Sequence, residues 1–133
     1  QLTNIARDVF EDKDRKRQYI KPDFLSIKET INESRTFYEK SFNSISSIPV
    51  RSRFSVIVAR RVYRKIGDYI LKKKNIDNYI KAGKIYVPVF GKITQTVLSL
   101  FDFIKLLFVK ELNYDNHTNH NILKEEVNIN ERI

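Results

Sequence analysis

The chain contains no cysteine, methionine or tryptophan, and only 3 glycines and 3 prolines among its 133 residues. The absence of cysteine excludes a disulfide framework and thiolate metal sites, so nothing points to secretion, and a reducing cytoplasm is the expected location. The scarcity of glycine and proline leaves long stretches without a helix breaker. We therefore expect an all-α fold that forms a single domain or part of one.

The N-terminus also lacks the charged and apolar segments of a signal peptide, and it has no initiator methionine. Gln1 is therefore expected to be an internal residue of a longer protein. The most apolar stretch, at residues 88–112, is interrupted by Asp102 and Lys105. Its uninterrupted apolar runs are shorter than the roughly 20 residues that a bilayer span needs, so a buried or interfacial helix is the better interpretation.

Acidic residues are outnumbered by basic ones, 16 to 25, which gives a formal net charge of +9. Such a chain attracts anions, and these could be nucleic acid, acidic lipid headgroups or a diphosphate. The basic residues are scattered along every segment, and no nucleic-acid-reading motif accompanies them. We therefore expect no nucleic-acid partner.

Apolar periodicity and helix breakers divide the chain into segments. Ser26 and Glu29 match a capping box at the start of the second helix, and Gly83 matches a helix C-terminal residue. The predicted order is the end of a helix at residues 1–12, a charged connection at 13–24, helices at 26–47 and 51–74, a short helical turn with a loop at 75–87, and a helix at 88–112.

Residues 113–133 are rich in asparagine and charge, which predicts a flexible polar tail. His117 and His120 in this tail have a spacing that could place two imidazoles on one metal ion. No further ligand lies near them in the sequence, so a flexible tail is the preferred interpretation.

The residues most indicative of chemistry are Asn4, Asp8 and Asp12, whose i, i+4, i+8 spacing puts three oxygen-bearing side chains on one helix face. Gln1 lies close to this row. The two carboxylates would repel each other without a cation between them, and hard oxygen ligands suit Mg²⁺. The spacing is equally compatible with a solvated acidic helix face beside lysine and arginine residues.

The sequence around these residues resembles that of squalene and phytoene synthases, and most closely that of the bacterial phytoene synthases. Residues 1–12 match the second aspartate-rich motif, Gln-x-x-Asn-x-x-Arg-Asp-x-x-x-Asp, and residues 16–20 match the Arg-x-Tyr loop after it. Ile-Pro-Val-Arg-Ser-Arg at 48–53, Ala-Arg-Arg-Val-Tyr at 59–63 and Lys-Ile-Tyr-Val at 84–87 follow in the family's order. The resemblance covers about residues 1–110, so 1–112 are expected to be the C-terminal part of such a domain.

The resemblance implies an isoprenoid synthase helical bundle in which Mg²⁺ links two aspartate-rich helices to prenyl diphosphates. The family joins two prenyl diphosphates head to head through a cyclopropyl diphosphate intermediate, and phytoene synthases use geranylgeranyl diphosphate. The resemblance also implies that Asp8 and Asp12 are the catalytic carboxylates. The implied metal ligands are Asn4, Asp8 and Asp12, and the implied substrate contacts are Gln1, Arg7 and Tyr63, with Arg17 and Tyr19 as weaker candidates.

The chain departs from the family pattern in three places: Lys16 replaces a common glycine, Lys21 a proline and Lys84 an arginine. The first aspartate-rich motif is absent from the 133 residues, so the chain alone is expected to be inactive. Without partner helices its apolar inner faces would be exposed, and we expect poor solubility or self-association.

Three alternatives stay open. The first is an enzyme of the same family that makes squalene or dehydrosqualene instead of phytoene. The second is a non-catalytic assembly or interaction protein with the same fold. The third is a basic helical module on an anionic membrane, which would use the 88–112 helix. Peripheral membrane contact is also compatible with the enzyme, because its product is a very apolar hydrocarbon.

Overall fold

The structure is a computed structural model that describes residues 1–108, and in this part of the chain it contains helices and no strand. The expected all-α fold is therefore confirmed. The elements are α1 (Leu2–Arg7), α2 (Val9–Asp14), α3 (Phe24–Lys40), a 3₁₀ turn (Asn43–Ser47), α4 (Val50–Leu71), α5 (Ile76–Lys81) and α6 (Val89–Leu107). The predicted tail at 113–133, with His117 and His120, lies outside the described residues.

The first predicted helix is broken at Asp8, whose φ of −106° and ψ of 15° separate α1 from α2. Hydrogen bonds nevertheless continue across the break, because the Asp8 amide donates to the Asn4 carbonyl at 2.9 Å and the Asp12 amide donates to the Asp8 carbonyl at 2.8 Å. The three residues therefore remain one helical turn apart, as the spacing predicts, although the prediction of one continuous helix is wrong.

The start of α3 differs from the predicted capping box at Ser26 and Glu29. Asp23 is the N-cap, and its carboxylate accepts hydrogen bonds from the Ser26 amide at 2.8 Å and from the Ser26 hydroxyl at 2.9 Å. A carboxylate at this position satisfies a free amide of the first turn and interacts favourably with the helix dipole. Ser26 therefore acts as a donor within the first turn and not as the cap.

α3 also ends earlier than predicted, at Lys40 instead of residue 47. The next residues are rich in serine and asparagine, whose side chains compete for the backbone hydrogen bonds of a helix. The Ser46 hydroxyl, for example, donates to the Asn43 carbonyl at 2.6 Å within the 3₁₀ turn. The later elements follow the prediction closely, and Gly83 has a φ of +60° just after α5.

Two apolar clusters hold the helices together. The larger joins α1, α2, α3, α4, α5 and the segment before α6, and it contains Ala6, Val9, Ile27, Ile31, Ile66, Ile70, Tyr79, Ile85 and Val87. The smaller joins the 3₁₀ turn, α4 and α6 through Ile45, Ile57 and Leu106. Gly67 permits the close approach of α3 to α4, because a Cβ there would lie 3.1 Å from the Ile31 Cγ2.

α6 packs against α4 along one side, and Ser99 and Leu106 are its buried residues. Its other side exposes large apolar side chains: Val89, Phe90, Ile93, Val97, Leu100, Phe101, Ile104, Leu107 and Phe108. At 100° per residue these fall within one face of the helix. Among the described residues, no helix is long and apolar enough to cross a bilayer.

Candidate functional site

Asp8 lies at the centre of a charged group at the junction of α1 and α2. The Arg7 guanidinium donates to both of its carboxylate oxygens, with Nε 2.9 Å from Oδ1 and Nη2 2.7 Å from Oδ2. The Lys84 Nζ lies 3.6 Å from Oδ1. The hydrogen bonds from Arg7, helped by the positive charges of Arg7 and Lys84, lower the pKa of Asp8. The carboxylate is therefore held ionised.

Lys84 reaches the site from the segment between α5 and α6, and it is not among the predicted site residues. Its Nζ donates to Glu11 Oε2 at 2.6 Å, and the other oxygen of Glu11 lies 2.8 Å from the Arg15 guanidinium. The hydrogen bond to Glu11, together with the nearby Asp8, raises the pKa of Lys84. The sequence signal was present in the Lys-Ile-Tyr-Val match at 84–87, but the motif does not show which carboxylates the lysine faces.

Tyr79 fixes the backbone of this junction. Its hydroxyl, on a side chain only 4% exposed, donates to the Ala6 carbonyl at 3.0 Å and to the Arg7 carbonyl at 2.5 Å. These carbonyls lie at the end of α1, where helix carbonyls lack partners within the helix. Burial, assisted by the charge of Asp8, raises the pKa of Tyr79 to about 12. No sequence pattern singled out this tyrosine.

The charged group borders a cleft of about 270 Å³. The cleft is lined by Arg7, Asp8, Phe10, Glu11, Asp14, Tyr79, Ile80, Gly83 and Lys84. Arg7 also faces the ring of Tyr86, with its Cζ 5.7 Å from the ring centre. Two cations and three carboxylates therefore line this surface opening, and an anionic ligand would have to draw Arg7 and Lys84 away from their carboxylate partners.

A second, more apolar cavity of about 560 Å³ lies on another side of α1. It brings together three residues that the family resemblance implies as ligand contacts: Gln1, Asn4 and Tyr63. Its walls are completed by Tyr38, Ser41, Ser44, Ile45, Ile48, Val56, Ala59 and Arg60. Mostly apolar walls with a few polar groups suit a hydrocarbon chain that carries a polar end.

The loop after α2 contains Arg17 and Tyr19, and both are exposed. The Arg17 amide donates to the Asp12 carbonyl at 2.7 Å, and the Lys16 amide donates to the Lys13 carbonyl at 2.9 Å. This is the Schellman pattern of a helix end, and it places Lys16 at a φ of +58°. In the described part of the chain, the side chains of Arg17 and Tyr19 form no hydrogen bond or ion pair with the other predicted site residues.

Comparison with known proteins finds curated phytoene synthases. The 15-cis-phytoene synthase of Pantoea ananas is 27% identical, over 50% of this chain and 28% of its own length. The chloroplastic phytoene synthase 2 of Solanum lycopersicum is 28% identical, over 66% of this chain and 35% of its own length. The chloroplastic phytoene synthase of an Oncidium hybrid cultivar is 30% identical, over 61% and 24% respectively. The chain is thus similar, at low identity and over part of its length, to phytoene synthases.

The resemblance that the motifs indicate is thus confirmed, and the all-α structure agrees with the helical fold of these relatives. The chain spans about a quarter to a third of the length of the phytoene synthases that it matches. No family model and no solved structure matches it. Lys16 occupies a left-handed backbone position, with a φ of +58°, where glycine would be less strained than lysine.

Asn4, Asp8 and Asp12 carry the hard oxygen donors that Mg²⁺ prefers, but Asn4 lines a different cavity from Asp8. The Asn4 Oδ1 is buried and has no hydrogen-bond partner among the described residues, and Asp8 and half-buried Asp12 supply further hard oxygens. However, Arg7 and Lys84 now neutralise Asp8. The described residues contain no cluster of three or more His, Cys, Asp or Glu side chains that could hold a metal ion.

Proposed function

We propose that this chain supplies the second aspartate-rich helix of a Mg²⁺-dependent prenyltransferase that joins two geranylgeranyl diphosphates head to head to form phytoene. The observation that carries the proposal is that α1 borders both a charged cleft at Asp8 and an apolar cavity at Asn4, one helical turn away. A prenyl diphosphate has the same two parts, a strongly anionic head and an apolar chain. The similarity to phytoene synthases supports the choice of this reaction.

In the proposed reaction the diphosphate leaves an allylic carbon, and the developing negative charge must be stabilised. Arg7 and Lys84 are the cations of this chain that can turn from Asp8 to phosphate oxygens. Mg²⁺, when bound, would supply further charge neutralisation, with Asn4, Asp8 and Asp12 as its proposed ligands here.

Two other features of the chain support this chemistry. The apolar residues of the larger cavity, Ile45, Ile48, Val56 and Ala59, would pack against the prenyl chain. Gln1 and Tyr63 would position the substrate there, and Arg17 and Tyr19 would act only if their loop closed over the diphosphate. The first aspartate-rich motif is not within these 133 residues, so we expect the chain alone to be inactive.

The proposal is tested by supplying the full-length protein with labelled geranylgeranyl and farnesyl diphosphates and Mg²⁺, and measuring diphosphate release and product. Asp8→Asn should lower the rate at least about 100-fold, because it removes a charged group at the reacting centre. Asp77→Asn, at an exposed position on α5, is the matched control and should have little effect. No diphosphate release from either substrate would refute the enzyme function, and turnover of farnesyl diphosphate alone would favour squalene or dehydrosqualene as product.

A non-catalytic role in the same fold is the second candidate, and one observation favours it. Arg7 and Lys84 already neutralise Asp8, which would leave it a poor ligand for a metal ion if this arrangement persists. Mg²⁺-independent binding of a prenyl diphosphate that Arg7→Gln abolishes, with no turnover in the assay above, would support this role. Either proposal includes peripheral membrane contact, because α6 exposes an apolar face. Either also includes a cytoplasmic location, because the chain has no cysteine.

A further inference from the structure

A third cavity, of about 510 Å³, lies between α4 and α6, and we call it the basic cleft. Five cationic side chains and only two carboxylates line it. The cations are Arg60, Arg61, Arg64, Lys65 and Lys105, the carboxylates are Asp68 and Asp102, and Phe42, Gln95 and Leu98 complete the walls. Arg60 and Arg61 lie within the motif at 59–63, and Arg60 also lines the larger cavity. The proposed reaction, however, gives this group of charges no role.

The carboxylates of the basic cleft are each shared between cations. Asp102 Oδ2 lies 2.6 Å from the Arg61 Nε and 3.9 Å from the Arg60 Nη1. Asp68 likewise pairs with Lys65 at 3.8 Å and with Arg35 of α3 at 2.5 Å. The positive charge of the cleft is therefore only partly neutralised by the protein.

Arg64 and Lys105 add to this excess. Arg64 pairs at 3.1 Å with Glu39, an exposed residue outside the cleft lining, so solvent screens this pair. Lys105 contacts no carboxylate in the described part of the chain, and its Nζ lies 5.8 Å from the ring centre of Phe42. Lys105 is thus a cation that is available to a ligand.

Arg60 shows that the cleft is a formed site and not a set of mobile surface chains. Its side chain is 11% exposed, its Nε donates to the Tyr38 carbonyl at 2.8 Å, and its guanidinium lies 4.7 Å from the centre of the Phe42 ring. Burial lowers the pKa of Arg60, and the nearby positive charge of Arg64 lowers it further. The backbone contact and the ring hold this cation in place before any ligand arrives.

We infer that the basic cleft binds a phosphate-bearing anion at a site separate from the Asp8 carboxylate. Guanidinium groups held in fixed positions match phosphate oxygens well, and a bound anion would relieve the repulsion among the cations. The anion could be a soluble phosphate compound or the headgroup of an acidic lipid. The inference does not rest on the proposed prenyltransferase reaction, because it requires neither Mg²⁺ nor Asp8.

The test uses the full chain and inorganic pyrophosphate in EDTA, so that no metal site contributes, with binding measured by isothermal titration calorimetry. Lys105→Gln should weaken binding about tenfold, the size of one charged hydrogen bond. Lys92→Gln removes the same charge from an exposed position on α6 outside the cleft and should change binding less than twofold. Asp102→Asn should tighten binding, which a merely structural role for Asp102 would not produce.

A second arm identifies the source of the phosphate, using sedimentation with vesicles of phosphatidylcholine alone or with phosphatidic acid. If the chain binds the acidic vesicles, and Lys105→Gln weakens this binding while Lys92→Gln does not, the ligand is a lipid headgroup. If Lys105→Gln weakens only the binding of pyrophosphate, the ligand is a soluble anion. Equal effects of the two variants in both arms would overturn the inference. Lys105→Gln should leave the Mg²⁺-dependent release of diphosphate by the full-length protein unchanged, so failure of this inference and failure of the proposed reaction would be distinguishable.

Discussion

Replacing Tyr79 by phenylalanine should loosen the junction that holds Asp8 while leaving the apolar packing in place. The phenylalanine ring would keep the contact with Phe10, whose ring centre is 6.0 Å away. The lost hydroxyl would leave the Ala6 and Arg7 carbonyls without its hydrogen bonds. The expected loss in the free energy of unfolding at neutral pH is about 1–2 kcal/mol, measured by urea denaturation followed by circular dichroism.

The pH dependence of this difference gives a sharper test. The pKa of Tyr79 rises from 10.0 to about 12 on folding, so the tyrosine contributes stability below pH 10 that is lost as the pH rises towards 12. Two pKa units correspond to about 2.7 kcal/mol, so a loss of about 2–3 kcal/mol is expected across this range. The advantage of the wild type over Tyr79→Phe should therefore shrink or vanish between pH 10 and 12.

The matched control is Tyr86→Phe, which removes a hydroxyl from a side chain that is 60% exposed. Its hydroxyl makes no hydrogen bond within residues 1–108, so this variant should lose little stability at neutral pH. A constant stability difference between the wild type and Tyr79→Phe from pH 7 to 12 would refute the reasoning, because it would mean that the hydroxyl is not buried against the carbonyls.

Three further predictions concern charge, backbone conformation and capping. Lys84→Gln should raise the pKa of Asp8 while Arg7 keeps it below its ordinary value, as measured by NMR titration of the carboxyl carbon; an unchanged pKa would contradict the geometry. Lys16→Gly should stabilise the fold by about 0.5–1 kcal/mol in urea denaturation, because a lysine at φ +58° is strained, whereas Lys16→Ala should bring no gain. Asp23→Ala should lower the helix content and thermal stability, whereas Glu29→Ala should not; the reverse would restore the capping box as the start of α3.

The sequence predicts most of the fold because its strongest signals are local. Periodic apolar residues locate α4 and α6 to within a few residues, and Gly83 correctly marks the end of α5. The errors fall where competing side-chain hydrogen bonds decide the outcome. A capping box and an aspartate N-cap a few residues apart both satisfy the first turn, and the pattern alone does not show that Asp23 forms the hydrogen bonds.

The site is only partly predictable for a different reason, which is that its contacts join residues distant in the chain. The spacing of Asn4, Asp8 and Asp12 is a local property and is present in the structure. Lys84 and Tyr79, in contrast, reach the same junction from about 70 residues away in the sequence, and no periodicity encodes that contact. The roles of the predicted catalytic, metal and substrate residues remain predictions that the assays above address.

The exposed side of α6 is the structural basis for the expected self-association of the chain. A helix that buries only Ser99 and Leu106 while exposing Phe90, Phe101 and Phe108 leaves a large apolar area in water. Soluble monomers rarely leave such an area uncovered, because each exposed apolar Å² forgoes roughly 25 cal/mol of stabilisation. Burial of this exposed face against a second copy of the chain would account for the expected self-association without requiring a membrane. If the chain stayed monomeric at high concentration and α6 resisted proteolysis, that expectation would be wrong and the face would need no cover.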